Sequence, residues 1–228
     1  MKTILITGAN GNLGTEVTKN LYKKGYNILA TIGRSSAEPE LQKMTQNIQM
    51  INLTDESETQ QYVNEITQNH PNLKAAVLLV GGFALGDFEE TDSTAIDKQV
   101  SLNFKSAYFI VRPLIKYFEK NGGGQFVFIG ARPALDAEAG KNMLAYALSK
   151  AMVMHLVELI NDVGRGKNIS ATVIIPSIID TPANKAGMPD ADFSKWVKAS
   201  DIAETIAFIL SDTGQNIRET TIKMYNEA

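Results

Sequence analysis

A chain of 228 residues with 44% hydrophobic and 21% charged residues has the make-up of a globular domain with a real core, and its length suits one α/β unit. A net charge of −3 argues against nucleic acid as the main partner, because a phosphate backbone selects a basic surface. The lack of cysteine excludes disulfides, thiolate metal sites and a cysteine nucleophile, and with only His70 and His155 to offer, no metal site is expected.

The first apolar run, within 2 to 7, reads as a strand. It is too short for the core of a secretion signal or for a membrane span, so a cytoplasmic, membrane-free protein is expected. Further strands are expected near 26 to 32, 48 to 52, 74 to 80, 125 to 130, 169 to 175 and 219 to 225. Helical stretches are expected at about 12 to 39, less the loop around 33 to 39, and at 56 to 68, 93 to 119, 142 to 163 and 199 to 211. Such alternation is the signature of a parallel sheet covered by helices. Runs such as Ala75-Ala76-Val77-Leu78-Leu79-Val80 and Phe126-Val127-Phe128-Ile129 are apolar at successive positions, so both sheet faces must be covered. There is no repeat, low-complexity tract or long linker. The expectation is therefore one domain over 1–228, a Rossmann-type doubly wound parallel sheet of about seven strands with helices on both faces. The widest irregular piece, 176–193, follows a strand's carboxyl end, where open α/β sheets bind ligands, and a lid is expected around 177–197.

After the first strand comes Thr7-Gly8-Ala9-Asn10-Gly11-Asn12-Leu13-Gly14, then an amphipathic run through Val17 and Leu21. Gly8 allows a tight turn, Gly11 lets the backbone approach a pyrophosphate, and Gly14 lets the helix sit close to the strand. The unpaired N–H groups and positive dipole end of that helix would face the phosphates, with Asn10, Asn12 and Leu13 in the same cradle. A free ribose 2′-hydroxyl calls for an acid at the end of the second strand, but the sequence there reads Thr31-Ile32-Gly33-Arg34-Ser35-Ser36. Arg34 suits a 2′-phosphate and Ser35 adds donors, so NADP is favoured over NAD.

Tyr146 and Lys150 stand four residues apart on an expected helix, hence on one face. A neighbouring ammonium and a positive nicotinamide ring would together stabilise the phenolate, lowering the phenol's pKa toward a usable proton donor.

These residues, with the chain length, resemble the short-chain dehydrogenase/reductase family over nearly the whole sequence. The resemblance implies that Lys150 also holds the nicotinamide ribose and that Asn103, in Val100-Ser101-Leu102-Asn103, anchors a proton-relay water. It implies cofactor contacts at Gly81 and Gly82, at Asn52 with Leu53 near the adenine, and at Pro176, Ile179 and Thr181 in Pro176-Ser177-Ile178-Ile179-Asp180-Thr181. The family's usual serine after the fifth strand is missing, since the chain reads Gly130-Ala131-Arg132-Pro133. Loss of such a donor typically costs on the order of a hundredfold in carbonyl chemistry. The dihydropteridine reductases of that family share the omission, and the run from Asp180 to Trp196 is similar to theirs. A quinonoid dihydropterin regains aromatic character on reduction and needs less help from a hydroxyl.

Substrate contacts are expected from Phe83, stacking on a planar ring at the pocket mouth, from Ala131 and Arg132, and from Met188 in the lid, where Trp196 fixes the loop. His155 is assigned a structural place and His70-Pro71 a helix stop. Apolar surface on helices 100–117 and 147–160 points to a homodimer or homotetramer. The resulting expectation is an NADP-dependent oxidoreductase moving hydride to a small carbonyl or quinonoid, pterin-like substrate, with Tyr146 as proton donor. The alternatives are a catalytically weak NADP(H)-binding sensor or scaffold of the same fold and, less well served by Tyr146 and Lys150, a methyltransferase.

Overall fold

A computed structural model of the protein describes residues 1–33 and 39–227. Its strands are β1 (Thr3–Thr7), β2 (Asn27–Ile32), β3 (Ile48–Met50), β4 (Leu73–Leu78), β5 (Gly124–Ile129), β6 (Ile169–Pro176), β7 (Ile179–Asp180), β8 (Val197–Lys198) and β9 (Thr220–Met224). Its helices are α1 (Asn12–Lys23), α2 (Pro39–Met44), α3 (Glu56–Asn69), α4 (Ser93–Gln99), α5 (Ser106–Lys120), α6 (Ala137–Gly140), α7 (Leu144–Gly164), α8 (Pro182–Gly187) and α9 (Ala199–Leu210).

Seven strands form one sheet in the order β3-β2-β1-β4-β5-β6-β9, and every pairing is parallel. The successive apolar residues of these strands feed two separate cores, as a doubly covered sheet requires. On one face Leu5, Leu29, Ala76, Phe126, Phe128 and Val173 pack with α3, α5 and α7. On the other, Ile4, Ile6, Ala30, Val77 and Ile174 pack with α1 and α9. The expected single-domain, seven-stranded parallel fold is what the chain adopts. Strand order reverses between β1 and β4, which places a crevice at their carboxyl ends.

Four local expectations are corrected. The helix expected to open at 12 and extend toward 39 ends at Lys23, because Gly25, at φ +82°, turns the chain into β2. The third strand keeps only three residues at the sheet edge, where it has one partner. The helix expected at 93 to 119 is interrupted by a π-helical turn over Val100–Lys105, with five-residue rather than four-residue bond spacing. The irregular stretch after β6 is more ordered than expected: β7 and β8 pair as a two-stranded ribbon that closes the base of the segment carrying α8.

Helix α7 is placed on the sheet by a buried amide. Asn161 Nδ2 donates to the Ala171 carbonyl at 2.9 Å and Asn161 Oδ1 accepts from the Ala171 N–H at 2.8 Å. Gly164 then lies so close to Ile169 that a Cβ there would overlap its carbonyl. These contacts set the register of the helix that carries Tyr146 and Lys150.

Candidate active site

The cradle forms at the end of β1. Thr7 Oγ1 accepts from the Leu79 N–H at 3.0 Å and ties the ends of β1 and β4 together. Gly8 has φ +66°, a conformation in which a side chain would be strained, and a Cβ on Gly14 would overlap the Gly8 carbonyl. The Ala9 N–H reaches the Thr31 carbonyl at 3.0 Å, fixing the loop to β2. Helix α1 starts after Gly11 with no side-chain cap and no acid in its first turn, so its leading N–H groups and positive dipole end are available to an anion. Gly11 and Asn12 are exposed there, with Asn10 and Leu13 half-buried.

Beside this loop lies a cleft of about 430 Å³ lined by Gly8, Thr31, Gly33, Asn52, Leu53 and Val80, among others. Among the described residues nothing bonds the buried Thr31 Oγ1. An orphaned hydroxyl costs free energy unless something else bonds it, which fits a cleft built to hold a polar ligand. Leu53 is buried, whereas Asn52 is exposed and uses its Oδ1 to accept from the Thr54 N–H and hydroxyl at 3.2 and 2.7 Å. What Asn52 retains for a base is its NH2 group. Glu58 also lines the cleft and accepts from the Asn52 N–H at 3.1 Å. Arg34 and Ser35 lie outside the described residues.

The second half of the site stands at the ends of β4 and β5. Lys150 is 7% exposed, and among the described residues no other Lys, Arg, Asp, Glu or His is buried. Its Nζ donates to the Ile129 carbonyl at 2.9 Å. A Cβ built on Gly81 would stand 3.3 Å from that Nζ and 2.6 Å from Asn103 Oδ1, which locates Lys150 and Asn103 around one glycine. Asn103 Oδ1 accepts from the Gly82 N–H at 2.8 Å. One turn before Lys150, the half-buried Tyr146 meets the ring of Phe83 edge-on, with centroids 5.2 Å apart. The loop bearing Phe83 is held to the start of α7, since the Gly86 N–H donates to Asn142 and the Gly86 carbonyl accepts from Leu144, both at 2.9 Å.

Burial pushes the Tyr146 phenol up to about 12 and the Lys150 ammonium down to about 8. In the chain by itself the cause is desolvation in both cases, which disfavours phenolate and ammonium alike; the lowering expected of the phenol belongs to a site that also holds a cationic nicotinamide ring.

The remaining expected residues lie along the same carboxyl edge. Pro176 ends β6, Ile179 opens β7, and the buried Thr181 caps α8 by accepting from the Asn184 N–H at 3.2 Å. Ala131 is buried and extended after β5, with no hydroxyl to offer. Arg132 stands beside the Asp136 carboxylate at 3.7 Å and over the Tyr225 ring. Met188 is the exposed C-cap of α8, while Trp196 is 4% exposed and packs on Phe193 at 4.7 Å. His155 is exposed beside Glu158, and His70 ends α3.

Sequence reading missed Thr31, Glu58, Gln99 and Ser149. The last two were findable, because Gln99 precedes Asn103 by four residues and Ser149 follows Tyr146 by three, both helical spacings. At the opposite end of the sheet, a cavity of about 350 Å³ includes Lys2 and Lys74, whose ammonium groups already sit on the helix-end carbonyls of Leu210 and Asn121. Among the described residues no group of three or more His, Asp or Glu could hold a metal, and no helix is long and apolar enough to cross a membrane.

Residues 2–192 match the family model described as short chain dehydrogenase. A dihydropteridine reductase from Dictyostelium discoideum is 28% identical over 212 residues, covering 90% of this chain and 86% of that one. Among solved structures, a short-chain type dehydrogenase/reductase from Mycobacterium ulcerans superposes with a TM-score of 0.88 at 23% identity, covering 99% and 89% of the two chains. The structure described as ElxO with NADP bound superposes with a TM-score of 0.89 at 21% identity, covering 98% and 96%.

Proposed function

The chain belongs to the short chain dehydrogenase family of oxidoreductases, and on that premise we propose that it moves a hydride from NADPH to a small planar carbonyl or quinonoid, pterin-like acceptor. The observation that carries this reading is the meeting of Lys150 and Asn103 at Gly81, with Tyr146 against the neighbouring Phe83, at the carboxyl edge beside the glycine cradle.

The residues present fit a dinucleotide. Gly8, Asn10, Gly11, Asn12, Leu13 and Gly14 would hold the diphosphate, Asn52 and Leu53 the adenine, and Gly81, Gly82, Pro176, Ile179 and Thr181 the nicotinamide half. Arg34 and Ser35 would meet the 2′-phosphate, which is the reason for preferring NADP. The reduced nicotinamide supplies the hydride when bound. Tyr146 holds the proton that goes to the acceptor's oxygen or nitrogen, and Asn103 connects it to a water relay. Lys150 supplies ribose contacts and, once its ammonium is stabilised, the positive charge that eases phenol ionisation.

Phe83 is exposed and stands at a steep angle to the Tyr146 ring, and a flat acceptor would stack on it there. Ala131 and Arg132 would line the same pocket, with Met188 contributed by a lid over 177–197. The Dictyostelium dihydropteridine reductase supports a pterin-like acceptor, and Ala131 in place of a hydroxyl donor supports one that needs little polarisation. That same alanine favours the second reading, an NADP(H)-binding sensor with weak turnover. The outward apolar residues Tyr108, Leu148, Met152, Leu159 and Val163 on α5 and α7 support a homodimer or homotetramer joined through these helices. A panel of quinonoid pterins and carbonyl compounds, assayed by loss of NADPH absorbance beside a direct NADPH titration, separates the two: the sensor binds tightly and shows little or no turnover of any acceptor.

A further inference from the structure

We propose that Gln99 is a positioning residue that orients the Asn103 amide and, through it, the Gly82 backbone beside the Tyr146 and Lys150 site. The kinetic arm of this inference rests on the oxidoreductase reading, and the structural arm does not.

Gln99 is the last residue of α4 before the helix widens into its π turn, and it is 3% exposed. Asn103, 2% exposed, faces it across that turn, with Nδ2 donating to Gln99 Oε1 at 2.9 Å. The same NH2 group lies 2.9 Å from Ser149 Oγ and 3.1 Å from the Gly82 carbonyl. Ser149 in turn donates to the Tyr146 carbonyl at 2.7 Å. A primary amide could sit in this space either way round. The Gly82 N–H requires an oxygen on one side, and the acceptors Gln99 and Ser149 require the NH2 on the other.

Orientation matters because there is no slack around the amide. The point where a Gly81 Cβ would lie is only 2.6 Å from Asn103 Oδ1, with Lys150 Nζ 3.3 Å from the same point, so a small shift of the amide bears directly on the glycine turn. Packing does not account for a glutamine here. A buried amide carries a desolvation cost that a leucine of similar volume avoids, and the hydrogen bond to Asn103 offsets it. The chain runs Gln99, Asn103, Gly82 on one side and Asn103, Ser149, Tyr146 on the other, joining the backbone after β4 to that of α7 through the side chains of Asn103 and Ser149.

The test combines hydrogen exchange with a double-mutant cycle. In Gln99→Leu, exchange at the Gly82 amide of the protein alone should rise about tenfold, and kcat should fall about tenfold with the NADPH dissociation constant little changed, the size of one net hydrogen bond. Gln99→Glu keeps the acceptor and should restore both. In an Asn103→Ala background, Gln99→Leu should add nothing further, because its effect passes through the missing amide. Unchanged Gly82 exchange in Gln99→Leu, no recovery in Gln99→Glu, or losses that multiply across the cycle would each overturn the proposal. Exchange results as expected in a chain with no turnover on any acceptor would support the positioning role while removing the oxidoreductase reading.

Discussion

The Lys150 ammonium donates to the Ile129 carbonyl at 2.9 Å, pinning a buried charge to the end of β5. That contact satisfies one of three N–H groups, which leaves burial to dominate and brings the lysine down to about 8 from its ordinary 10.5. Between those two values the unfolded chain binds a proton that the folded chain lacks, so this residue's penalty is full below about 8 and fades as pH rises to 10.5. Lys150→Met removes the penalty and should stabilise the protein near neutral pH by roughly 3 kcal/mol at most, less about 1 for the lost hydrogen bond. The gap should narrow as pH rises through the window. The raised Tyr146 phenol acts in the opposite direction at higher pH, but it is common to both proteins. Urea unfolding at several pH values measures this, and a gap that widens with pH contradicts it.

Gly14 and Gly11 should fail in different ways when changed to alanine. A Cβ on Gly14 meets the Gly8 backbone, which cannot move without undoing the loop, so Gly14→Ala should cost about 1 to 3 kcal/mol of stability. A Cβ on Gly11 would lie 3.2 Å from the Gly8 carbonyl, a tight but adjustable contact on the exposed face. Gly11→Ala should fold with a near-native melting temperature and lose about tenfold or more in NADPH affinity. Calorimetry and a fluorescence titration separate the outcomes. Equal effects of both changes on both quantities would remove the distinction.

Trp196 holds the segment after β6 in place. It packs on Phe193, its carbonyl accepts from Asn226 Nδ2 at 3.3 Å, and Lys185 bridges the segment by its 2.7 Å ion pair to Asp180 while lying over the Phe193 ring. Trp196→Ala should lower stability by about 3 to 5 kcal/mol. It should also raise the substrate KM, whereas Trp196→Phe should recover most of both. A stability loss within error of zero would show that the segment is held by other contacts.

Arg34 was assigned from sequence to the 2′-phosphate. Arg34→Ala should weaken NADPH by about tenfold and leave NADH within error, because a guanidinium and a phosphate form a charge-assisted pair that NADH cannot make. Paired titrations of the two cofactors decide the matter, and parallel losses for both would end the claim of NADP preference.

Strands and most helix starts were legible because their signals are local. The starts expected at 56 and 93 are the observed ones, and there Asp55 and Asp92 each cap a helix by accepting from a backbone N–H three residues on, at 2.9 and 2.8 Å. The glycine loop was legible because each glycine answers a separate steric demand. The π turn was not, since one extra residue per turn leaves no mark in hydrophobic spacing. Nor were β7 and β8, whose two residues each are too few to show a period. Helix α8 was missed although Thr181 followed by Pro182 is a start signal, with a capping hydroxyl and then a residue lacking N–H. The sign of the Tyr146 shift depends on how deeply the pair is buried, which only the packed structure supplies.

The central claim is that Tyr146 handles the proton, and steady-state loss of NADPH absorbance in wild type and Tyr146→Phe tests it most directly, with NADPH binding measured alongside. The account predicts turnover of at least one quinonoid or carbonyl acceptor by wild type and a loss on the order of a thousandfold in the variant, with NADPH affinity held within about threefold. Turnover by Tyr146→Phe at the wild-type rate, or a wild-type chain that binds no NADPH, would contradict it.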